Sequence, residues 1–371
     1  MAAKRYANVP VSRLGRFWPR RRKMRRRIGR SRSRSLPPYL PDAVISNILS
    51  WLPSKSAIRC KAVCKAWHAM VSDRHFVSDH LERSKERPAV LLLPCAYSRR
   101  EHNVLMSLWI DFYYNSGGGD MTELMYREHI PKSIGQCTLP LHCDGLILTS
   151  TLDQEVMVCN PATREFVTSP KGSHNLNKRP RVGLGFDPSS SKYKVARFFY
   201  QVEDGKTSQP ICRFEVLTLG TDNEWRRTVD PPYPIMGVTP GHMRGAIYWA
   251  VDLPSAEHPN AFLRFDLADE KFGLTPYPPC ERTEPTYFVE LEGELCCACF
   301  TGKHLVEAED VVEIWTCDGT GAPMWALRCT IPIPKDSIVP YPAGGFTIPT
   351  VMFLGEHLLL MCDHKLQEFC V

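Results

Sequence analysis

Between Leu40 and Leu81 apolar residues recur at helical spacing. Val44, Ile45, Ile48, Leu49 and Leu52 stand at i, i+1, i+4, i+5 and i+8, which is the apolar stripe of an amphipathic helix. Leu40-Pro41-Asp42 opens that helix, because proline suits the first turn and an acid there complements the dipole. Pro53 ends it. Ser54 or Ser56 is placed to cap a second helix, along which Ile58, Ala62 and Val63 repeat the period. Cys64, Trp67, Ala69, Met70 and Val71 predict a third, and Phe76, Val77 and Leu81 a last short one. About 45 residues of linked helices bury little core alone. The stripe is also too wide for the module to cover, so a module of this kind shares its core with a partner.

After Pro88 the helical period disappears. Short β-branched and aromatic runs alternate with Gly, Pro, Asp and Asn turns. A weak repeat is visible. A turn residue leads into an apolar strand at Gly145-Leu-Ile-Leu148, Gly245-Ala-Ile-Tyr-Trp249, Glu294 to Phe300 and Glu356 to Leu360. A second strand follows at Val156 to Cys159, Phe262 to Phe265, Val312 to Trp315 and Lys365 to Phe369. An aromatic then leads a further strand, at Phe166, Phe272 and Trp325; Phe214 to Leu217 with Trp225 fits the same scheme. The aromatics are 59, 47 and 53 residues apart. A period near 50 with about four strands per unit is that of a propeller blade. With 88–133 as a first, degenerate blade, the count is about six. The last blade stops after its second strand, and a strand near Val90 is available to close the ring. The fold class is therefore mainly β with a small α module. An irregular stack of antiparallel sheets is the other architecture the pattern allows.

Charge divides the chain differently. Of 46 Lys and Arg, 14 fall in residues 1–35, which hold no acid; the remaining 32 face 40 Asp and Glu, so the net +6 conceals a body of −8. Dense like charge with few apolar residues predicts a disordered tail over 1–35. Arg20, Arg21, Arg22, Lys23, Arg25, Arg26 and Arg27 form a nuclear-import or nucleic-acid patch. Ser31, Ser33 and Ser35 alternate with arginines, where phosphorylation would partly neutralise the charge. An organelle transit peptide shares this composition, but the clustering of charge favours the nucleus. The body is unsuited to general phosphate attraction. No apolar run has the roughly 20 residues of a membrane helix, and the N-terminus offers no secretory segment. The 15 cysteines sit mostly in apolar runs such as those of Cys159, Cys212 and Cys362, as small hydrophobes and reduced thiols of a nuclear or cytoplasmic protein.

Candidate chemistry is thin. Cys296-Cys297-Ala298-Cys299 contains a Cys-x-x-Cys with only His304 near it, short of a zinc site; in a strand Cys297 and Cys299 share one face and Cys296 takes the other. Cys137, His142 and Cys143 lack a fourth ligand, so no metal is expected. Gly117-Gly118-Gly119 lacks the Lys-Ser/Thr of a phosphate cradle. His102, His129, His174 and His258 sit in polar stretches, and no nucleophile–base pair assembles. Trp225, Trp249, Trp315 and Trp325 read as core. The expectation is a non-catalytic protein without cofactor.

Two stretches resemble known families. Leu40-Pro41-x-x-x-Ile45-x-x-Ile48-Leu49-x-x-Leu52-Pro53, with Ile58-Arg59-Cys60-Lys61-x-Val63-Cys64-Lys65-x-Trp67, resembles the F-box. Cys143-Asp144-Gly145-Leu146, Asn160-Pro161-x-Thr163-Arg164, Gly185-Phe186-Asp187-Pro188 before Tyr193-Lys194-Val195, and Val312-Glu313-Ile314-Trp315 before Trp325, resemble the F-box-associated domain of plant F-box proteins. The domains implied are a tail over 1–35, an F-box over 36–82 and an F-box-associated, β-propeller-like domain over 88–371. The resemblance implies docking on a Skp-family adaptor and, through it, on a cullin and a RING protein: a substrate-recognition subunit of an SCF-type ubiquitin ligase. It places Leu40, Pro41, Ile45, Leu49, Leu52 and Pro53 on the adaptor-facing surface, closed by Val63, Cys64, Lys65 and Trp67, with Ile48 and Val63 the first candidates for internal core instead. Trp51 departs from the polar residue the family often has there. The β body would hold a target protein, whose identity and docking face the residues do not give. Two rival readings remain: a nuclear interaction protein whose arginine tail binds RNA or chromatin outside any ligase, and a sensor with a small ligand in the propeller's central cavity.

Overall fold

The computed structural model describes residues 40–86, 90–92, 99–101, 104–115, 123–135, 141–151, 155–176, 181–202, 210–235, 240–251, 260–280, 287–291, 293–301, 311–318, 324–332, 350–354, 357–362 and 365–370. The arginine patch, Gly117 to Gly119, Cys137, His102, His258 and His304 lie outside the described residues.

Four helices form the N-terminal module: α1 (Asp42–Ser50), α2 (Ser54–Cys60), α3 (Lys65–Ser72) and α4 (Arg74–Lys85). Pro41 and Pro53 occupy equivalent positions immediately before α1 and α2, at φ −57°, ψ 145° and φ −54°, ψ 144°. Both prolines stand at the N-cap position, where their rings fix φ but carry no acceptor, so neither helix has a side-chain cap. Ser54 and Ser56 therefore do not cap α2, as the sequence suggested; both lie inside it. Cys64 caps α3, its Sγ accepting from the Trp67 amide at 3.5 Å, and Asp73 caps α4 through the His75 amide at 2.9 Å. α4 has 12 residues and is the longest helix, not a short last turn. It is held to the end of α1 by His80, whose Nε2 donates to the Leu52 carbonyl at 2.9 Å, one of the acceptors that a helix end leaves open.

The described strands form six antiparallel sheets. The first contains β1 (Val90–Leu92), β2 (Arg99–Glu101), β3 (Val104–Asn115) and β4 (Glu123–Gly135). Four strands in chain order make each of the next four sheets: β5 (Leu141–Cys143) to β8 (Glu165–Thr168) through β6 (Leu146–Ser150) and β7 (Val156–Asn160); β9 (Arg181–Asp187), β10 (Lys192–Gln201), β11 (Ile211–Thr218) and β12 (Arg226–Arg227); β13 (Gly241–Met243), β14 (Ala246–Ala250), β15 (Ala261–Asp266) and β16 (Phe272–Pro276); β17 (Tyr287–Leu291), β18 (Glu294–Thr301), β19 (Val311–Cys317) and β20 (Ala326–Pro332). The sixth has β21 (Thr350–Leu354), β22 (His357–Cys362) and β23 (Lys365–Cys370). From the second sheet to the sixth, the first strand of each packs beside the first strand of the next, β5 on β9, β9 on β13, β13 on β17 and β17 on β21. That is the propeller arrangement, with first strands innermost.

Two expectations are corrected. The repeat seen in the sequence begins at the second strand of each sheet, so the last sheet has three described strands, not two. The Val90 strand does not close the ring: β1 pairs with β3, Val90 opposite Asn115. β3 is 12 residues long and carries β4 along one edge, leaving the other for β1 and β2; this nearby partner needs less loop closure than a distant one.

Turn chemistry fixes the blades. Asp144-Gly145 and Arg244-Gly245 take positive φ at both residues (50° and 81°, 45° and 76°), the two-residue hairpin that matches strand twist. At Gly245 a Cβ would stand 2.8 Å from Pro188 Cδ, so only glycine fits. A longer turn recurs three times. Asn160, Asp187 and Asp266 each accept amides two or three residues on (Ala162 at 3.0 Å, Ser189 at 2.9 Å, Ala268 at 2.9 Å), and each turn closes on a residue of positive φ: Arg164, Ser191 and Glu270.

The core lies between neighbouring sheets. Trp249 is fully buried between the third and fourth, meeting Phe198 and Phe214 edge-on at 5.5 and 6.1 Å. Gly183 makes this possible, since a Cβ there would stand 2.8 Å from Ile247. Met243, Tyr248, Phe262, Leu295, Cys297 and Cys299 fill the next interface. The aromatics that set the sequence period also join sheets at the rim: Trp225 Nε1 donates to the Pro170 carbonyl at 2.9 Å, and Trp325 Nε1 to the Pro276 carbonyl at 2.8 Å. Arg197 and Glu215 are buried as a pair at 2.5 Å, with Ser173 donating to the same carboxylate through N (3.1 Å) and Oγ (2.8 Å), the partners a buried charge requires.

Candidate functional site

The wide stripe of α1 is two stripes. Ile45, Leu49 and Leu52 turn inward, where Leu49 joins Val71 and Phe76 in a small core that Cys60, Trp67 and Met70 extend. Val44, Ile48 and Trp51 are spaced i, i+4, i+7 and turn outward, 40%, 52% and 43% exposed. Leu40 and Val63 add further exposed apolar surface, and Pro41, Pro53, Cys64 and Lys65 are exposed with them. Of the residues the sequence placed on the adaptor-facing surface, Leu49 is buried at 4% and Ile45 and Leu52 pack against it, whereas Ile48, a candidate for core, is open to solvent, and Val63, given both as a closing residue and as a core candidate, is exposed. The cause is one residue of helical phase, about 100°: the core completed by α2, α3 and α4 covers only one of two adjacent rows. Trp51 is held in place by Arg83, whose guanidinium lies 4.8 Å from the ring centre and donates to Asn47 O at 3.0 Å and Asn47 Oδ1 at 2.7 Å.

A polar cluster marks the inner end of the propeller. His142 on β5 and His242 on β13 meet edge-to-face at 6.4 Å, and His242 Nε2 is 3.6 Å from Glu290 on β17. Desolvation, and the nearness of His142, push the largely covered His242 down to about 4. Asp144 beside them accepts from Tyr193 at 3.2 Å and lies 3.8 Å from Lys85 at the end of α4, which brings the helical module to this side of the body. The sequence grouped His142 with Cys137 and Cys143, but nothing in it joined His142 to His242, because both lie on short first strands that the repeat left out.

Ion pairs tie blades together. Lys194 lies 3.2 Å from Asp187 and 3.1 Å from Glu270; Arg226 holds Glu270 at 2.9 Å and Asp222 at 3.0 Å. Burial alone would raise the Asp187 carboxyl, but hydrogen bonds from Ser190, Ser189 and Lys194 hold it far below the usual range. The buried thiols are inert: burial pushes Cys159 and Cys296 up to about 12. Cys297 and Cys299 point into the core with sulfurs 3.6 Å apart, Cys296 facing away. Among the described residues no group of His, Cys, Asp or Glu is arranged to hold a metal, and no helix is long and apolar enough to cross a membrane.

The molecule is thus of a definite class: a propeller-like body carrying a small helical module whose apolar surface is incompletely covered. Comparison with known proteins agrees. An F-box-like family model matches residues 38–80, and the F-box associated beta propeller domain matches 104–371. The chain belongs to the F-box proteins with an F-box-associated propeller domain. Three Arabidopsis thaliana proteins illustrate the likeness. An F-box/LRR-repeat protein is 26% identical over 302 residues, 75% of this chain and 64% of that protein. An F-box/kelch-repeat protein is 29% identical over 244 residues, 64% and 61%. A putative F-box protein is 24% identical over 365 residues, 94% and 88%. The chain spans less than two thirds of the length of the first two.

Proposed function

We propose that this protein is the substrate-recognition subunit of an SCF-type ubiquitin ligase. The observation that carries the reading is the outward row Val44, Ile48 and Trp51, with Leu40 and Val63 beside it: an apolar surface on a module with too small a core to need it. A Skp-family adaptor covers that row, and a cullin and a RING protein follow through the adaptor. The propeller holds a target protein. Its lysine then meets the charged carrier enzyme at high effective concentration, and no residue of this chain takes part in bond making. The arginine patch in the tail carries the protein into the nucleus, where, or in the cytoplasm, the ligase acts.

Co-purification with a Skp-family adaptor tests this. The structure chooses the variant: Val44→Asp with Ile48→Asp charges the exposed row and leaves the core intact, whereas Leu49→Ala would damage the module itself. Capture by the wild type and loss in the double variant is the expected result. A folded wild type that captures no adaptor overturns the reading.

A further inference from the structure

α1 has a third side. Ser46 lies two residues beyond Val44, about 200° round the helix, and there α1 borders an open groove of about 390 Å³ against α3 and α4. Ala69, Met70 and Phe76 give it an apolar floor, and Asp73 and Asp79 an acidic rim. His75 completes the lining, which holds no Lys or Arg. The groove faces away from the outward row, so it can be filled while that row is covered.

We propose that this groove is the seat of the chain's own N-terminal segment, Arg16-Phe17-Trp18-Pro19-Arg20. The match is chemical at each point. Phe17 and Trp18 form the tail's one adjacent aromatic pair and suit an apolar floor; the arginines on either side suit Asp73 and Asp79. The helical module over 36–86 carries seven Lys and Arg against five Asp and Glu, so the attraction is local: the two rim carboxylates are the partners for the arginines that flank the aromatic pair. Reach is ample. Twenty residues separate Arg20 from Leu40, about 65 Å when extended, and α1 covers the four residues from Asp42 to Ser46 in about 6 Å. A tether of this length gives an effective concentration in the millimolar range. An intrinsic affinity of about 1 mM, far weaker than a typical peptide complex, therefore fills the groove about half the time.

Limited trypsin digestion of the full-length protein, followed by mass spectrometry, reads occupancy from the cutting rate at Arg16 and Arg20, each rate normalised to that of the same free synthetic peptide. Cleavage follows the population of the released segment. The wild-type tail, seated about half the time, is expected to be cut about twofold more slowly than the free peptide. Asp79→Lys in the groove, and Phe17→Ser with Trp18→Ser in the tail, should each restore the free-peptide rate. Asp269→Lys, on a distant exposed turn, should leave protection in place. The tail variant leaves the described fold untouched, so a loss of protection there cannot be misfolding. Equal rates for wild type and free peptide overturn the proposal. Loss of protection in only one of the two variants also overturns it, since the attraction is then either unspecific charge or seated elsewhere.

Discussion

The helical module and the β body solve the problem of burial in opposite ways. In the module three large side chains, Leu49, Val71 and Phe76, are fully buried, while Leu40, Val44, Ile48, Trp51, Val63 and Val77 remain exposed. In the body a single interface between the third and fourth sheets buries Phe198, Phe214, Ile247, Trp249, Leu263 and Phe265 almost completely. One part is an incomplete core that awaits a partner; the other supplies its own.

That contrast is open to test. Trp249→Ala should have the largest effect, about 3–5 kcal/mol off the body's unfolding free energy by denaturant titration; a loss below 1 kcal/mol would mean that the body's core is as loose as the module's. Acid comes next. His242 titrates near 4 in the folded body, against about 6.5 when unfolded. Its folded value is depressed, so the unfolded chain takes up the proton first. Stability should fall as the pH drops from about 6.5 to 4, by on the order of 3 kcal/mol. His242→Gln should flatten this slope in urea melts at pH 7 and pH 4.5; an unchanged slope removes the buried imidazole as its cause. Third, Val44→Asp with Ile48→Asp should weaken the adaptor complex about a hundredfold, or ~2.7 kcal/mol, with the body's melting temperature unmoved. A fall in both would mean that the row is core after all. The smallest effect belongs to Cys64. Replacing this cap by alanine should cost under about 1 kcal/mol, and serine, a better acceptor, should gain; hydrogen exchange of the Trp67 amide gives the sign.

Much of this was legible in the sequence, and the failures have two causes. The helices announced themselves through Pro41, Pro53 and the period of Ile45, Leu49 and Leu52, because regular geometry leaves a regular trace. Which of two adjacent rows would be buried did not, since Ile48 and Leu49 are equally apolar and only the position of α3 and α4 separates them. The blade period was visible in Phe166, Trp225, Phe272 and Trp325, residues too large to vary freely. The innermost strands were invisible: Leu141–Cys143 and Gly241–Met243 are three residues long, and one turn residue at each end leaves no room for alternation. The pairing of His142 with His242, and with it the polar cluster at the inner end, was missed for that reason.

The rim joints have a consequence for how such a body can change over generations. Trp225 and Trp325 each hold the preceding sheet by a main-chain carbonyl, at Pro170 and Pro276. A carbonyl is present whatever side chain its residue bears. The joint therefore asks nothing of the neighbouring blade's sequence beyond the path of its backbone, and side chains on the connecting loops are free to be rewritten while the ring stays closed at those seams. A scaffold joined in this way can take on a new quarry without having to be rebuilt around it.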